Sequence, residues 1–307
     1  MDGSHLALPA VTVLAASASA YATDAVLGLI QGAVYGLLAM GVVVIYRTTR
    51  TLNLAQGGMA TLGAFSYIAL RGHGVPALPA VLAVVALGAV IGLGIGELIG
   101  WPLRRASPTV KLVSSLGVLL VVQSVVAIVF GNVPRSAPPL VSPDSVSVAG
   151  VTVPRDGLVV VGVTAVTTVL LTRLLSSTRL GLHMRAVAAD PEVAALQGVD
   201  VRLVSLVSWM LGVAIALGGG ILLGPVIRTV APFLLTLIAL QALGATLVGR
   251  IESLGGALVG GLVLGELVTF SQELLPGTQG NADIAVFLFI LAVLLVQRRT
   301  GPILERA

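Results

Sequence analysis

The chain has 307 residues, of which 57% are hydrophobic and only 10% are charged, and its mean hydropathy is +1.07. A soluble domain usually carries about 25% charged residues, so this chain has too few polar side chains to cover a surface in water. The absence of cysteine excludes disulfides, thiol catalysis and cysteine-ligated metal centres. The net charge of +4 is spread over short loops between apolar stretches, which argues against nucleic-acid binding.

Nine apolar stretches predict an all-α fold, a polytopic bundle of transmembrane helices with about 8–10 spans. A helix rises 1.5 Å per residue, so about 20 residues cross a hydrocarbon core that is about 30 Å thick. The stretches 57–70 and 284–297 are shorter. Each is expected to be either a part-span lengthened by polar flanks or a helix buried against other helices. The nine stretches are 25–46, 57–70, 78–101, 112–130, 157–172, 203–227, 229–249, 253–272 and 284–297.

The basic residues predict a direction for these spans. If residues 176–202 are cytoplasmic and nine spans alternate, 13 of the 17 basic residues fall on the cytoplasmic side. Cytoplasmic loops are usually rich in Lys and Arg, so the N-terminus is expected outside and the C-terminus inside. The predicted parts are an extracytoplasmic or peripheral segment at 1–24, a transmembrane domain at 25–297 and a cytoplasmic tail at 298–307.

Two segments outside the predicted spans have patterns of their own. Residues 6–20 are apolar and end in Ala-Ser-Ala-Ser-Ala, like a signal peptide, but no Lys or Arg precedes them. A partly buried or surface helix is therefore expected there. In the outer loop at 131–156, alternating Val-Ser-Val and Val-Thr-Val segments flank Gly150 and predict a β-hairpin, a candidate lid or docking surface.

Known catalytic motifs are absent from the sequence. A P-loop requires Gly-Lys followed by Ser or Thr, whereas the single lysine, Lys111, follows Val110. The three histidines are too far apart for a His-Glu-x-x-His zinc motif. The chain is therefore expected to be no enzyme and to bind no cofactor or metal ion.

The loop at 176–202 contains the signals of a complete short helix. Asp190 is a suitable N-cap, Pro191 suits the first helical position, and Glu192 places a negative charge in the first turn. Gly198 is the residue expected just after the helix. The small apolar surface of this helix is expected either to dock into a groove on a cytoplasmic partner or to pack on the bundle. It comprises Val193, Leu196 and Val199.

Glu97 and Glu266 are the only acidic residues within the predicted spans, where a carboxylate is energetically costly. Glu97 is close in sequence to Arg104 and Arg105, which predicts an ion pair at the membrane surface. Glu266 is deeper, and it is expected either to line a polar pathway or to pair with a polar group such as Gln241.

Two glycine pairs occupy similar positions in the chain. Gly57-Gly58 begins the second predicted span and Gly255-Gly256 the eighth, and Gly63 and Gly261 follow at the same offset. This pattern predicts either a parallel internal repeat or the ordinary close packing of membrane helices.

Three stretches carry a resemblance to a known family. They are Gly32-Ala-Val-Tyr35-Gly-Leu-Leu-Ala39-Met-Gly41 with Asn53-Leu-Ala-Gln56-Gly57, then Arg185-Ala186 with Asp190 and Leu196-Gln-Gly198, then Gly249-Arg-Ile-Glu-Ser253-Leu-Gly255-Gly256-Ala257. In this order they resemble the LivH-type permease subunits of ABC importers for branched-chain amino acids, over roughly residues 25–297. The chain departs from the family at Gln56, where histidine is usual, and at Arg250 and Glu252, where the family is uncharged.

The resemblance implies a multi-subunit importer in a bacterial cytoplasmic membrane that carries branched-chain or related small amino acids. The implied partners are a second permease of the LivM type, two cytoplasmic ATPase subunits, an extracytoplasmic substrate-binding protein and membrane lipid, with no nucleic acid. ATP and magnesium are then expected on the ATPase subunits rather than on this chain.

The resemblance also assigns candidate site residues. The helix that would seat in an ATPase, the coupling helix, involves Arg185, Asp190, Pro191, Glu192, Val193, Leu196 and Gly198. The candidate translocation pathway comprises Asn53, Gln56, Gln241 and Glu266. Two other functions fit the apolar composition. One is an ion-coupled secondary transporter that uses Glu266 or Glu97, and the other is a membrane scaffold without a transport path.

Overall fold

The computed structural model describes residues 7–141, 144–148, 151–274 and 280–299. The helices are α1 (Ala7–Thr49), α2 (Gln56–Gly72), α3 (Ala77–Ile95), α4 (Pro108–Phe130), α5 (Arg155–Ser177), α6 (Arg179–Ala189), α7 (Pro191–Leu196), α8 (Val201–Ile227), α9 (Leu234–Val248), α10 (Leu254–Leu274) and α11 (Asn281–Arg299). The strands are β1 (Arg135–Ser136), β2 (Ser145–Val148), β3 (Val151–Pro154) and β4 (Thr229–Val230).

Several helices begin where a polar side chain can cap free backbone N–H groups. Before α4, the Ser107 hydroxyl accepts a hydrogen bond from the Val110 amide at 3.4 Å. Before α8, Asp200 accepts one from the Leu203 amide at 2.9 Å. These caps satisfy donors that have no partner inside the helix, so each helix starts at a defined residue.

Within the described residues, seven helices are long and apolar enough to cross a membrane, in agreement with the predicted all-α polytopic bundle. The short stretch 57–70 forms α2, which has 17 residues and is buried from Gln56 to Tyr67. The stretch 284–297 forms α11, which polar residues lengthen at both ends. Helix α9 has only 15 residues, because strand β4 and a turn occupy the first part of the predicted span. Residues 7–24 are helical and continue directly into the first span.

Contacts between distant loops show which loops share an end of the bundle. Strand β1, after α4, pairs antiparallel with β4, after α8. The same α4–α5 connection holds the predicted hairpin, β2 and β3. We call this the hairpin end. At the opposite end, the α7 end, Arg50 pairs with Glu252 at 2.8 Å and Arg105 pairs with Glu192 at 3.5 Å. The long helices therefore alternate in direction.

Glycines set a close helix contact between α1 and α10. Gly28, Gly32 and Gly36 are four residues apart and face α10, where Gly261 and Gly265 face α1. A Cβ on Gly261 would overlap the backbone N and Cα atoms of Gly36. Small residues at this spacing let two backbones approach closely, which favours helix association in lipid. We call this contact the glycine seam.

Helix α8 fills the middle of the bundle, where it contacts α1, α2 and α3. Gly63 of α2 lies against the backbone of Leu217, and Gly220 lies against the backbone of Ala60. The two glycines that suggested a repeat, Gly63 and Gly261, thus both mark close helix crossings, the first with α8 and the second with α1. The internal repeat itself stays a prediction.

Candidate functional site

Helix α7 has the capping geometry that its sequence predicts. Asp190 accepts hydrogen bonds from the amides of Glu192 at 2.8 Å and Val193 at 3.0 Å. After the helix, Gly198 has a φ of +83°, a backbone conformation that a residue with a Cβ rarely adopts. Ala194 is buried and anchors the helix to the bundle. The short helix is therefore held in a fixed position at the α7 end.

The outer face of α7 presents apolar side chains to the surroundings. Leu196 is 88% exposed and Val193 is 48% exposed. Val199, which the sequence placed in the same surface, is instead partly buried and packs against the core. The exposed apolar surface of α7 consists of Val193 and Leu196, because the turn at Gly198 directs the chain back to the bundle before Val199.

Arg185 and Glu192 contact the protein's own loops. The Arg185 guanidinium donates to the carbonyl of Leu175, so it joins α6 to the end of α5. Glu192 pairs with Arg105 at 3.5 Å, and both side chains are largely exposed. An exposed ion pair of this kind contributes about 0–1 kcal/mol, so Glu192 is only weakly restrained.

Glu97 forms the ion pair that the sequence predicts, but with a different partner. Its carboxylate binds Arg202 at the start of α8, rather than Arg104 or Arg105. Arg104 stacks on the Trp101 ring at 4.0 Å. The different partner of Glu97 has a structural cause. The π-helical turn Gly96–Gly100 ends α3 beside α8, which brings residues 105 positions apart into contact.

Arg50 joins three segments at the α7 end. Its guanidinium donates to Glu252 at 2.8 Å and to the Ala188 carbonyl of α6 at 3.4 Å. The hydrogen bond to Glu252 raises the pKa of Arg50 above its ordinary value. Arg50 has a φ of +49°, and Arg250 and Ile251 in the α9–α10 loop also have positive φ values. The pair therefore ties two strained loops to the helix that leads into α7.

A double-mutant cycle of Arg50→Gln and Glu252→Gln is expected to give a coupling energy of about 0.5–1 kcal/mol at low salt. The pair is half exposed, with side-chain exposures of 51% and 56%, so salt is expected to screen it. The measurement is thermal unfolding of the four variants in detergent at low and high sodium chloride. Unchanged coupling at high salt would show that the pair is not held by exposed charges.

The side chains of Asn53 and Gln56 connect helices of the bundle. Both are 1% exposed. The Gln56 amide donates to the carbonyls of Leu38 and Gly212, each at 3.3 Å, and Asn53 donates to Gln56 at 3.3 Å. This amide cluster connects α1, α2 and α8, so both pathway candidates act as interhelical contacts in this conformation.

Gln241 belongs to a polar network that the sequence analysis missed. Its side chain accepts from the Tyr35 hydroxyl at 3.4 Å and donates to Asp283 at 3.0 Å. Gln31 donates to the same tyrosine at 2.6 Å. The network links α1, α9 and α11. Gln31 and Tyr35 are four residues apart on one face of the first span, and this spacing was the available signal.

Glu266 lies in the glycine seam. Its side chain does not pair with Gln241. A Cβ on Gly28 would be 2.8 Å from its Oε2 atom. That oxygen is buried and has no hydrogen-bond partner among the described residues. A carboxylate oxygen without a partner is costly to bury, so Glu266 is a candidate contact for a ligand or proton.

Comparisons with known proteins show similarity to transport permeases. A family model described as "Branched-chain amino acid transport system / permease component" matches residues 25–297. LivH from Salmonella typhimurium is 26% identical over 285 residues, covering 88% of this chain and 91% of LivH. BraD from Pseudomonas aeruginosa is 28% identical over 294 residues, covering 92% and 95%.

A probable LivH from Methanocaldococcus jannaschii is 31% identical over 250 residues, which is 76% of each chain. The family match covers all seven of the long apolar helices except the first part of α1 and the last residues of α11. The resemblance seen in the sequence is therefore confirmed, and the protein is a multi-pass membrane protein. The chain belongs to the family of permease components of branched-chain amino acid transport systems.

Proposed function

We propose that this chain is the membrane-spanning permease subunit of an ABC importer that moves branched-chain or related small amino acids into the cell. The observation that carries the proposal is α7, a capped helix that is anchored by Ala194 and exposes Leu196 at the α7 end. Such a helix is longer than a link between two spans requires. Its exposed apolar side chains suit a groove on an ATPase subunit.

The proposed complex contains a second, LivM-type permease, two ATPase subunits and an extracytoplasmic substrate-binding protein. In the proposed orientation the α7 end is cytoplasmic, the hairpin end faces outside, and the N- and C-termini lie outside and inside respectively. The excess of basic residues in the predicted cytoplasmic loops supports this orientation. ATP and magnesium are proposed to bind the ATPase subunits, and movement of α7 is proposed to switch the bundle.

The proposed pathway residues are Gln241 and Glu266, while the amide cluster of Asn53 and Gln56 joins α1, α2 and α8. A zwitterionic amino acid carries an ammonium group, and a carboxylate oxygen without a partner is a suitable acceptor for it. The Oε2 atom of Glu266 has that character. Its position beside Gly28 supports a role for the glycine seam in transport.

Glu266→Gln is expected to lower leucine uptake about tenfold or more, because it removes a charge-assisted hydrogen bond to the ammonium group. Uptake is measured in proteoliposomes that contain the complete importer, at matched protein levels. Glu97→Gln is the control, because Glu97 also lies in a long apolar helix but is paired with Arg202. Normal uptake by Glu266→Gln would remove the residue from the pathway.

The whole proposal is tested by reconstitution. Uptake is expected to require ATP, both ATPase subunits and the binding protein, and to be absent with this chain alone. Uptake by this chain alone in response to an ion gradient would instead favour the secondary transporter. A ligand screen on the binding protein would then identify the amino acid, because that protein makes the first selection.

A further inference from the structure

The connection between α4 and α5 binds other helices at the hairpin end on its way. We call residues 135–141 the strap. It begins with β1, which pairs with β4 at the end of α8. The amide of Ala137 then donates to the carbonyl of Arg228 at 2.9 Å, and the carbonyl of Pro139 accepts from the Tyr67 hydroxyl of α2 at 3.4 Å. The strap is therefore attached to both α8 and α2.

The last residues of the strap are fixed to α5. The amides of Leu140 and Val141 donate to the same carboxylate oxygen of Asp156, at 3.0 Å and 3.1 Å. Hydrogen bonds to an ionised acceptor are stronger than those between neutral groups. Asp156 lies in the first turn of α5. The strap thus ties α5 to α2 and α8, and these helix ends cannot separate while all its attachments hold.

The inner side of the strap packs on the bundle. A Cβ on Gly224 of α8 would lie 3.0 Å from the Cβ atom of Ala137, so the strap runs directly over that helix. Leu140 packs against the core, and Val230 of β4 is buried. The two residues of β1, in contrast, are exposed. The strap is therefore an outer layer that covers buried parts of the hairpin end.

The attachment between β1 and β4 is the one best suited to release. It consists of two residue pairs, and so short a two-stranded ladder is marginally stable. Arg228, which joins α8 to β4, has a φ of +61°, which is unfavourable for a residue with a Cβ. Such strain persists only where neighbouring contacts hold it, and the hydrogen bond from Ala137 is one of these contacts. Separation of β1 from β4 would let Arg228 relax.

We propose that the strap is the gate of the hairpin end. In this conformation it joins α8 to α2 and α5 and keeps the end closed. The end opens to admit an amino acid when β1 separates from β4, while Asp156 keeps the strap on α5. This inference rests on the proposed function, in which the hairpin end faces outside and receives the substrate.

The gate is tested by locking it with a disulfide, which is simple because the chain contains no cysteine. Ser136 and Thr229 oppose each other in the β1–β4 pair. The hydrogen bond from Ala137 to Arg228 makes them the non-hydrogen-bonded pair, in which Cα atoms are about 4.5 Å apart and a disulfide fits. Oxidation of the Ser136→Cys, Thr229→Cys variant in the complete importer is expected to lower leucine uptake about tenfold or more, and reduction to restore it.

The matched control is a disulfide inside the neighbouring hairpin. Ser147 and Thr152 oppose each other across β2 and β3, and both are exposed. The Ser147→Cys, Thr152→Cys variant therefore crosslinks the same connection without joining it to α8, and its uptake is expected to be unchanged. The wild-type importer is oxidised and reduced in parallel. Loss of thiol labelling by a maleimide measures how much disulfide has formed in each variant.

The possible results separate the gate from the proposed function. Full uptake by the crosslinked Ser136→Cys, Thr229→Cys variant would overturn the gate and leave the function standing. An equal loss in the hairpin control, or a loss that reduction does not reverse, would also overturn the gate. If the wild-type importer shows no ATP-dependent uptake, the proposed function fails and the gate with it. A reversible loss confined to the β1–β4 crosslink supports the gate.

Discussion

Replacing Gly261 with valine is expected to destabilise the bundle by about 3 kcal/mol or more, the upper range for overpacking. A Cβ at this position would lie 2.9 Å from the carbonyl oxygen of Gly32 and still closer to the backbone of Gly36. Backbone atoms cannot rotate aside as a flexible side chain can. The glycine seam would therefore have to open, and α1 and α10 would lose the contact that holds them together.

The matched control for this prediction is Gly255→Ala on the same helix. A Cβ there meets only the Ser253 hydroxyl, at 4.0 Å, so alanine fits and is expected to stabilise α10 by up to about 1 kcal/mol. Both variants are compared with the wild type by thermal unfolding and by the yield of monodisperse protein in detergent. A Gly261→Val variant that unfolds at the wild-type temperature would contradict the close contact in the seam.

Leu196→Asp is expected to abolish co-purification of the ATPase subunits while membrane insertion and stability are unchanged. Leu196 is 88% exposed, so its side chain contributes little to the fold. If it fills an apolar pocket on the partner, an aspartate there would bury an unpaired charge, which costs about 2 kcal/mol or more at the centre of an interface. The expected loss in affinity is therefore about 30-fold or greater.

The control for Leu196→Asp is the same kind of change at the opposite end. Val133 is 70% exposed in the loop after α4, and Val133→Asp is expected to leave the ATPase subunits bound. Gly198→Pro is expected to repeat the effect of Leu196→Asp, because proline cannot adopt the φ of +83° and so displaces α7. Co-purification that survives both changes in α7 would rule out its role as the coupling helix.

Local features of this protein could be predicted from its sequence because the interacting residues are neighbours. Asp190, Pro191 and Gly198 predict α7 and both of its ends, since a cap and its amides are within a few residues. The apolar stretches likewise predict the spans, because the bilayer thickness and the rise of a helix set how many apolar residues are needed to cross. The hydrogen bond between Gln31 and Tyr35 could also be predicted, because residues four apart lie on the same face of a helix.

Contacts between segments far apart in the chain needed the tertiary structure. Glu97 binds Arg202 instead of the arginines that follow it in sequence. Arg50 binds Glu252, and Gln241 binds Asp283 and Tyr35. No local spacing in the sequence predicts these pairs. The packing of the helices determines these partners. A small rotation of one helix would bring other side chains into contact.

The sequence by itself therefore determined that the chain is a membrane protein. It also determined which residues form the long helices and where α7 begins and ends. Each of these follows from hydrophobicity and from hydrogen bonds between near neighbours. Only the tertiary structure decided that Val199 is covered, that Glu266 lies against Gly28, and that the strap is bound to α8 through β1 and β4. The reason is that helix packing depends on shape across the whole bundle, which residue type and spacing do not specify.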